Sequence, residues 1–425
     1  MNRELAQRLL VNILPNPPWN EEQVQILLRD LDVLAEHKYN FYEVYQPGRL
    51  FFENLYLWLS SFKEEERTAA IDFVRKDLIF ISREEFQQLA QVLYRDKIHQ
   101  RHLDLAAERA GMPRHRVTAL ADCPATQRIR RASLYVALSD GARIDYFRRQ
   151  NLSISNEQVL PSYQLNSNKA ENLVAELAKG MGEGSRFECL FLIDDFCGSG
   201  RTLLREYVRT RVDGSLSPFT IPPQLRAYVA YDEEKRELTL TYSGSVTSHL
   251  ENELISLCAS QLYKDAMGVL VRRHRAGQTE LTGALVRIAE GLLPGLLTPG
   301  GRVFLCPLLI TQYALDRLRP LIPRLPSQLK ELEILPGAVL PDAVRILPPS
   351  DSGSSEMGIA TLCENHYSED YGDEHTGSIK YGYDNCGLPI VLHHNTPNNS
   401  IYLLWSRKMG KPLFMRFERH GREAA

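Results

Sequence analysis

Two hydrophobic periods run along the chain, and the change between them falls near residue 133. Before it, apolar residues recur at helical spacing. Val24, Ile26, Leu27, Leu31 and Leu34 follow Asn20-Glu21-Glu22, a helix start with an acidic first turn. Ser82-Arg83-Glu84-Glu85 repeats that signature ahead of Phe86, Leu89 and Val92. The segment 105–113, with its small residues and Gly111, has the punctuation of a helix-turn-helix. No second copy or strongly basic helix follows it, and an ordinary helical hairpin is the plainer reading. Residues 1–125 are therefore expected to form a helical N-terminal domain.

From Ser133 onward short apolar runs alternate with helical stretches, the pattern of an α/β domain with a mainly parallel sheet. Strands are expected at 134–138, 159–165, 190–193, 225–231, 303–309 and 333–335. Helices are expected through Ile144 and Phe147, over 169–179, over 201–208 and over 314–321. This domain spans 126–347, with inserted helices at about 249–295. Residues 348–356, rich in Pro, Ser and Gly, read as a connector or lid. The remainder of 348–425 is a polar, Tyr- and His-rich cap. No internal repeat is evident.

Composition narrows the class. With 425 residues the chain has room for two or three domains of roughly 150 residues each. A net charge of -3 gives no global case for nucleic-acid binding, and Arg128, Arg130 and Arg131 read as a solvated helix end. The start lacks a signal-peptide run, and 50–62, the longest apolar candidate, is broken by Glu53 and Asn54. No membrane partner is expected. Seven cysteines, an odd number without disulfide rhythm, fit reduced thiols in a cytoplasm.

The chemistry concentrates in 190–202. Leu190-Phe191-Leu192-Ile193 places Asp194 and Asp195 at the carboxyl end of a buried parallel strand, where open α/β sheets bind ligands. The loop Phe196-Cys197-Gly198-Ser199-Gly200-Arg201-Thr202 follows, leading into the expected helix. Its glycines allow close backbone approach, its amides form an anion cradle, and Ser199 and Thr202 add hydroxyl donors. The two carboxylates can accept from vicinal hydroxyls or hold a hydrated Mg²⁺. Phosphate on one side and hydroxyls on the other describe ribose 5-phosphate. A Walker B strand would need a Walker A loop, and the chain contains none. A dinucleotide fingerprint would need glycine where Leu203 stands. A structural alternative stays open, in which the aspartates cap the next helix and the glycines make a tight turn.

The segment closely resembles the phosphoribosyl pyrophosphate (PRPP) motif of type I phosphoribosyltransferases. That resemblance implies that Asp194 and Asp195 contact the ribose hydroxyls, that residues 196–202 hold the 5-phosphate, and that Mg²⁺ rides on the pyrophosphate. It also implies a second loop after the first strand. Ser139-Asp140-Gly141-Ala142-Arg143 occupies that place, with Arg143 and Lys169 as basic candidates for the pyrophosphate. The blocks 131–145, 155–159 and 387–399 are further similar to the phosphoribosyltransferase-like (PRTase-CE) proteins of bacterial conflict systems. Those occur in anti-phage cassettes, including some retrons. The resemblance implies a defence effector or regulator. Its partners would be a nucleotide ligand and possible cassette components, such as a reverse transcriptase with its DNA or RNA.

In the tail, Cys363, His366, His375, Cys386, His393 and His394 offer one short C-x₂-H half-site for zinc but no second tight pair. The tail reads instead as a loop-rich element that packs beside the sheet and helps close the site. Asn395, Asn398 and Asn399 are candidate contacts to an acceptor base or phosphate. Cys197 reads as a small filler.

Overall fold

The computed structural model describes residues 3–417 except 16–17, 47, 49, 162–166, 209–228, 233–236, 241–278, 292, 350–356, 369–370 and 373–377. Most of the expected lid, His375 and much of the expected insertion thus lie outside the described residues. Two compact units result: Met1–Leu203 with Ala284–Ala425, and Leu204–Gly283.

In the larger unit the N-terminal part is helical: α1 (Arg3–Ile13), α2 (Glu21–His37), α3 (Phe51–Leu59), α4 (Arg67–Lys76), α5 (Arg83–Val92), α6 (His99–Ala110), α7 (Val117–Ala121) and α8 (Pro124–Arg131). Both expected starts are reciprocal capping boxes. The Gln23 amide donates to the Asn20 side chain and the Glu85 amide to Ser82 Oγ, while each third-position side chain reaches back. A short strand, β1 (Ile79–Ile81), lies between α4 and α5.

The main sheet is parallel throughout. Its strands are β2 (Ser133–Ala137), β3 (Val159–Pro161), β4 (Phe187–Cys197), β9 (Leu297–Thr311), β10 (Glu333–Ile334) and β11 (Ala338–Leu340), in the order β10-β9-β4-β2-β3 with β11 also on β9. Helices α9 (Ile144–Gln150) and α10 (Ser167–Met181) make the crossovers from β2 to β3 and from β3 to β4. After β2 the chain steps to one side, and after β3 it returns past β2 to the other. The carboxyl ends of β2 and β4 therefore flank a topological switch point. The mainly parallel, helix-flanked α/β class expected from the sequence is the class observed.

Three aromatic rings set the register there. Tyr135, Phe191 and Phe304 share one row across β2, β4 and β9, with Phe191 stacked between the others at 5.3 and 4.8 Å. A slip of one residue would turn this row, and the acids beyond it, to the opposite faces. Behind the row pack Phe86, Leu103, Ile129 and Phe147.

The second unit contains β5 (Arg205–Val208), β6 (Val229–Asp232), β7 (Glu237–Leu240) and β8 (Thr279–Thr282). β5 pairs antiparallel with β8, and β6 with β7. The helix expected over 201–208 is overturned. The chain turns through Leu203 and then extends as β5, because residues 205–208 gain a strand partner in β8 that no local pattern reveals. Helices α11 (Ala284–Gly291) and α12 (Leu293–Leu296) lead back into β9, and α13 (Gln312–Leu318) follows it.

The C-terminal part returns to the N-terminal helices. Helix α14 (Ile359–Asn365), β12 (Ile390–Leu392) and α15 (Tyr402–Trp405) follow in the described residues, and β12 pairs in parallel with β1. Phe51, Trp58, Phe73, Phe80, Tyr402 and Phe414 share one buried core, and Trp58 Nε1 donates to Leu403 O at 2.7 Å. Buried Glu66 fastens α14 by accepting from His366 Nε2, Asn365 Nδ2 and the Lys63 amide. Burial pushes its carboxyl up, but these donors outweigh that and hold it below the usual value of 4.5. A depressed carboxylate adds stability above its unfolded pKa and loses it as pH falls through the folded value. Glu66→Gln should therefore cost about 1–3 kcal/mol at pH 7 and much less below the folded pKa, read from denaturation midpoints against pH. A loss that does not shrink on acidification would refute the ionic role.

Candidate functional site

Strand β2 stops at Ala137, opposite Ile193, and the Leu138 amide closes the ladder on Ile193 O. β4 continues against β9 as far as Cys197↔Ile310. Asp194 and Asp195 therefore emerge beside the turn that leaves β2. Ser139 Oγ donates to Asp194 Oδ1 at 2.7 Å and stands 3.5 Å from Asp195 Oδ1. Asp140 opens the short turn Asp140–Ala142, and Gly141 lies against Asp195. A Cβ added at Gly141 would stand 2.6 Å from Asp195 Oδ2, so a side chain there would displace that carboxylate.

The two acids differ. Burial, then the neighbouring Asp195 charge, drives the Asp194 carboxyl well above the usual range. Burial acts on Asp195 in the same direction, but the hydrogen bond and charge of His394 outweigh it and hold that carboxyl low. His394 Nε2 lies 3.0 Å from Asp195 Oδ2. Shifts in opposite directions are the usual result of a close acid pair.

The expected loop residues Phe196 and Cys197 instead end β4, held there by pairing with β9, and the loop proper begins at Gly198; both are tightly packed. Phe196 joins Leu309, Leu388 and Leu392 in a small cluster. The Cys197 thiol is buried, and burial with the nearby Asp194 charge pushes it far above its usual pKa, which makes it a poor nucleophile. Gly198 touches Asn399, and its carbonyl accepts from Thr311 Oγ1 at 2.6 Å. Ser199 is buried and Gly200, at φ +72°, packs on Leu318. Arg201 Nη1 reaches Asp384 at 2.7 Å, and Arg317 pairs with the same carboxylate. Thr202 is exposed. Because β5 replaces the expected helix, the loop does not run directly into a helix N-terminus of its own. Any anion bound here would rely on loop amides, hydroxyls and side-chain charge.

Among the basic candidates, Arg143 adopts a left-handed φ of +44° and pairs with Glu43, while Lys169 lies in the first turn of α10. Asn399 meets the loop and donates to Tyr383 O and Cys386 Sγ. Asn395 Oδ1 instead accepts from the Phe417 amide, and Asn398 O accepts from the Tyr383 amide. Three contacts had no local signal: Glu43 on Arg143, Asp384 on Arg201, and His394 on Asp195. Each joins residues at least 100 positions apart.

The acid pair suits Mg²⁺ that arrives with its phosphate ligands, since Mg²⁺ keeps several waters and takes one or two carboxylates. Among the described residues no three His, Cys, Asp or Glu side chains are grouped to hold a metal by themselves, and that covers the cap cysteines and histidines described. No described helix is long and apolar enough to cross a membrane.

No curated protein and no solved structure gives a significant match to the chain. The PRTase-CE family profile matches residues 56–416, which takes in the helices from within α3 onward, the sheet, the acid pair and the cap. The chain belongs to the PRTase-CE family and is a phosphoribosyltransferase-like protein.

Proposed function

We propose that the crevice between β2 and β4 binds the ribose 5-phosphate group of PRPP or a related nucleotide together with Mg²⁺. The observation that carries this reading is the acid pair Asp194–Asp195 emerging beside Ser139–Gly141 at the switch point, with the glycine loop directly after it. Asp194 and Asp195 would accept from the sugar hydroxyls and hold the hydrated ion, and residues 196–202 would receive the phosphate. Bound Mg²⁺ would supply positive charge to a departing pyrophosphate. The carboxylates would support the oxocarbenium-like charge on the sugar, a task of electrostatic placement rather than nucleophilic attack. Following the resemblance of its sequence blocks, the protein would act as an effector or regulator in anti-phage defence. Its partners would come from the same cassette, such as a reverse transcriptase with its nucleic acid.

Calorimetric titration with PRPP and Mg²⁺ tests the site. The wild type should bind, and Asp194→Asn/Asp195→Asn should lose about 100-fold or more in affinity, as expected when two charge-assisted contacts go. Equal affinity in both proteins would sink the assignment. A second reading, a nucleotide sensor without turnover, draws support from cap residues Asn399 and His394 lying directly on the loop and the acid pair. A ligand there would be felt by the cap. Mass spectrometry of incubated nucleotide mixtures separates the two: altered nucleotides mean an enzyme, an unchanged pool a sensor.

A further inference from the structure

We infer that His394 is a positioning residue of the ribosyl site, holding one oxygen of Asp195 so that the other meets the sugar. The inference rests on the reading above and goes beyond the acid pair itself. Asp195 Oδ2 is confined from two sides, with His394 Nε2 at 3.0 Å and the Gly141 backbone so close that a Cβ there would stand at 2.6 Å. The carboxylate cannot rotate without giving up a charge-assisted hydrogen bond or striking the β2 turn. Its Oδ1 is thereby left on the side of Ser139 Oγ and Asp194.

The histidine is itself fixed. Its side chain is 4% exposed, and the ring meets Phe86 and His393 edge-to-face, with centroids at 5.3 and 4.8 Å. The backbone just before it is tied on both sides, because the His393 amide donates to Ile81 O and His393 O accepts from the Glu43 amide. A turn closed by hydrogen bonds between Leu392 and Asn395 sets the direction of His394. A side chain gripped by packing, on backbone gripped by an N-terminal strand, is the supporting shell that keeps a binding group within tenths of an ångström. An isolated surface histidine would have none of this.

The test compares two probes on one protein. Ribose 5-phosphate engages the loop and the acids; inorganic phosphate engages the loop alone. His394→Phe keeps a flat ring but removes the donor, and should weaken ribose 5-phosphate by about tenfold while leaving phosphate unchanged. His394→Gln, which restores an amide donor, should recover most of that loss. In an Asp195→Asn background His394→Phe should cost nothing more. His394→Leu repeats the comparison if a phenyl ring does not fit. Equal losses for both probes, or none for either, would overturn the inference while the site stands. A wild type that binds neither probe would overturn the reading of the site and this inference with it.

Discussion

Gly387→Ala is expected to cost at least about 3 kcal/mol of folding stability, the range reached when a backbone clash adds to a strained dihedral. Gly387 sits at φ +61°, where alanine is already disfavoured, and its Cβ would stand 2.1 Å from Ile346 O. Neither chain can withdraw easily. The Gly387 amide donates to Tyr381 O, and Gly387 O accepts from the Ile346 amide at 2.7 Å. The same turn holds Gly382, Asp384 and Asn385, all with positive φ, and presents Asp384 to Arg201 and Arg317. The damage should therefore reach the glycine loop. Denaturant melts read the effect as a lower midpoint at unchanged slope. A loss under about 1 kcal/mol would show that the turn can relax.

The second large effect is expected from Gly198→Ala. The new methyl would meet Asn399 Oδ1, Cγ and Cβ at 2.4, 2.5 and 2.8 Å. Contact reaches back to Cβ, so swinging the amide away is not enough, and moving it breaks its bonds to Tyr383 O and Cys386 Sγ. The variant should lose about 2–3 kcal/mol of stability and bind ribose 5-phosphate about tenfold more weakly. Removing the opposing side chain supplies the control. Gly198→Ala/Asn399→Gly should be more stable than the sum of the single changes predicts, by about 1 kcal/mol or more. Strict additivity would mean that the loop and cap do not press on each other.

What could be read beforehand followed how local each signal is. The run 190–193 with its two acids announces a buried strand and its ligand end, because burial and the acids sit in one short window. The capping boxes at Asn20 and Ser82 are equally local. The helix expected over 201–208 failed for the opposite reason. Leu203, Leu204 and Tyr207 fit a helical face, but the conformation is decided by β8, more than 70 residues further on. Asn399 stands out in the sequence as a candidate contact to an acceptor base or phosphate, and its contact with Gly198 has no local signal. His394 entered only as a possible zinc ligand in a polar tail. Its place beside Asp195, 199 positions earlier, depends on β12 pairing with β1, which no periodicity encodes.

That pairing has a consequence in time. Trp58 and Leu403, joined by one hydrogen bond, lie 345 positions apart, and β1 and β12 are separated almost as widely. At about 5–20 residues per second, ribosomal synthesis of such a stretch takes roughly 20–70 seconds. Between the synthesis of Asp195 and that of His394, 199 positions later, the nascent chain carries the acid pair without its histidine and the glycine loop without Asn399. The crevice is completed by a segment made well after the motif, so partial products of translation that stop before it carry the motif but not the finished pocket.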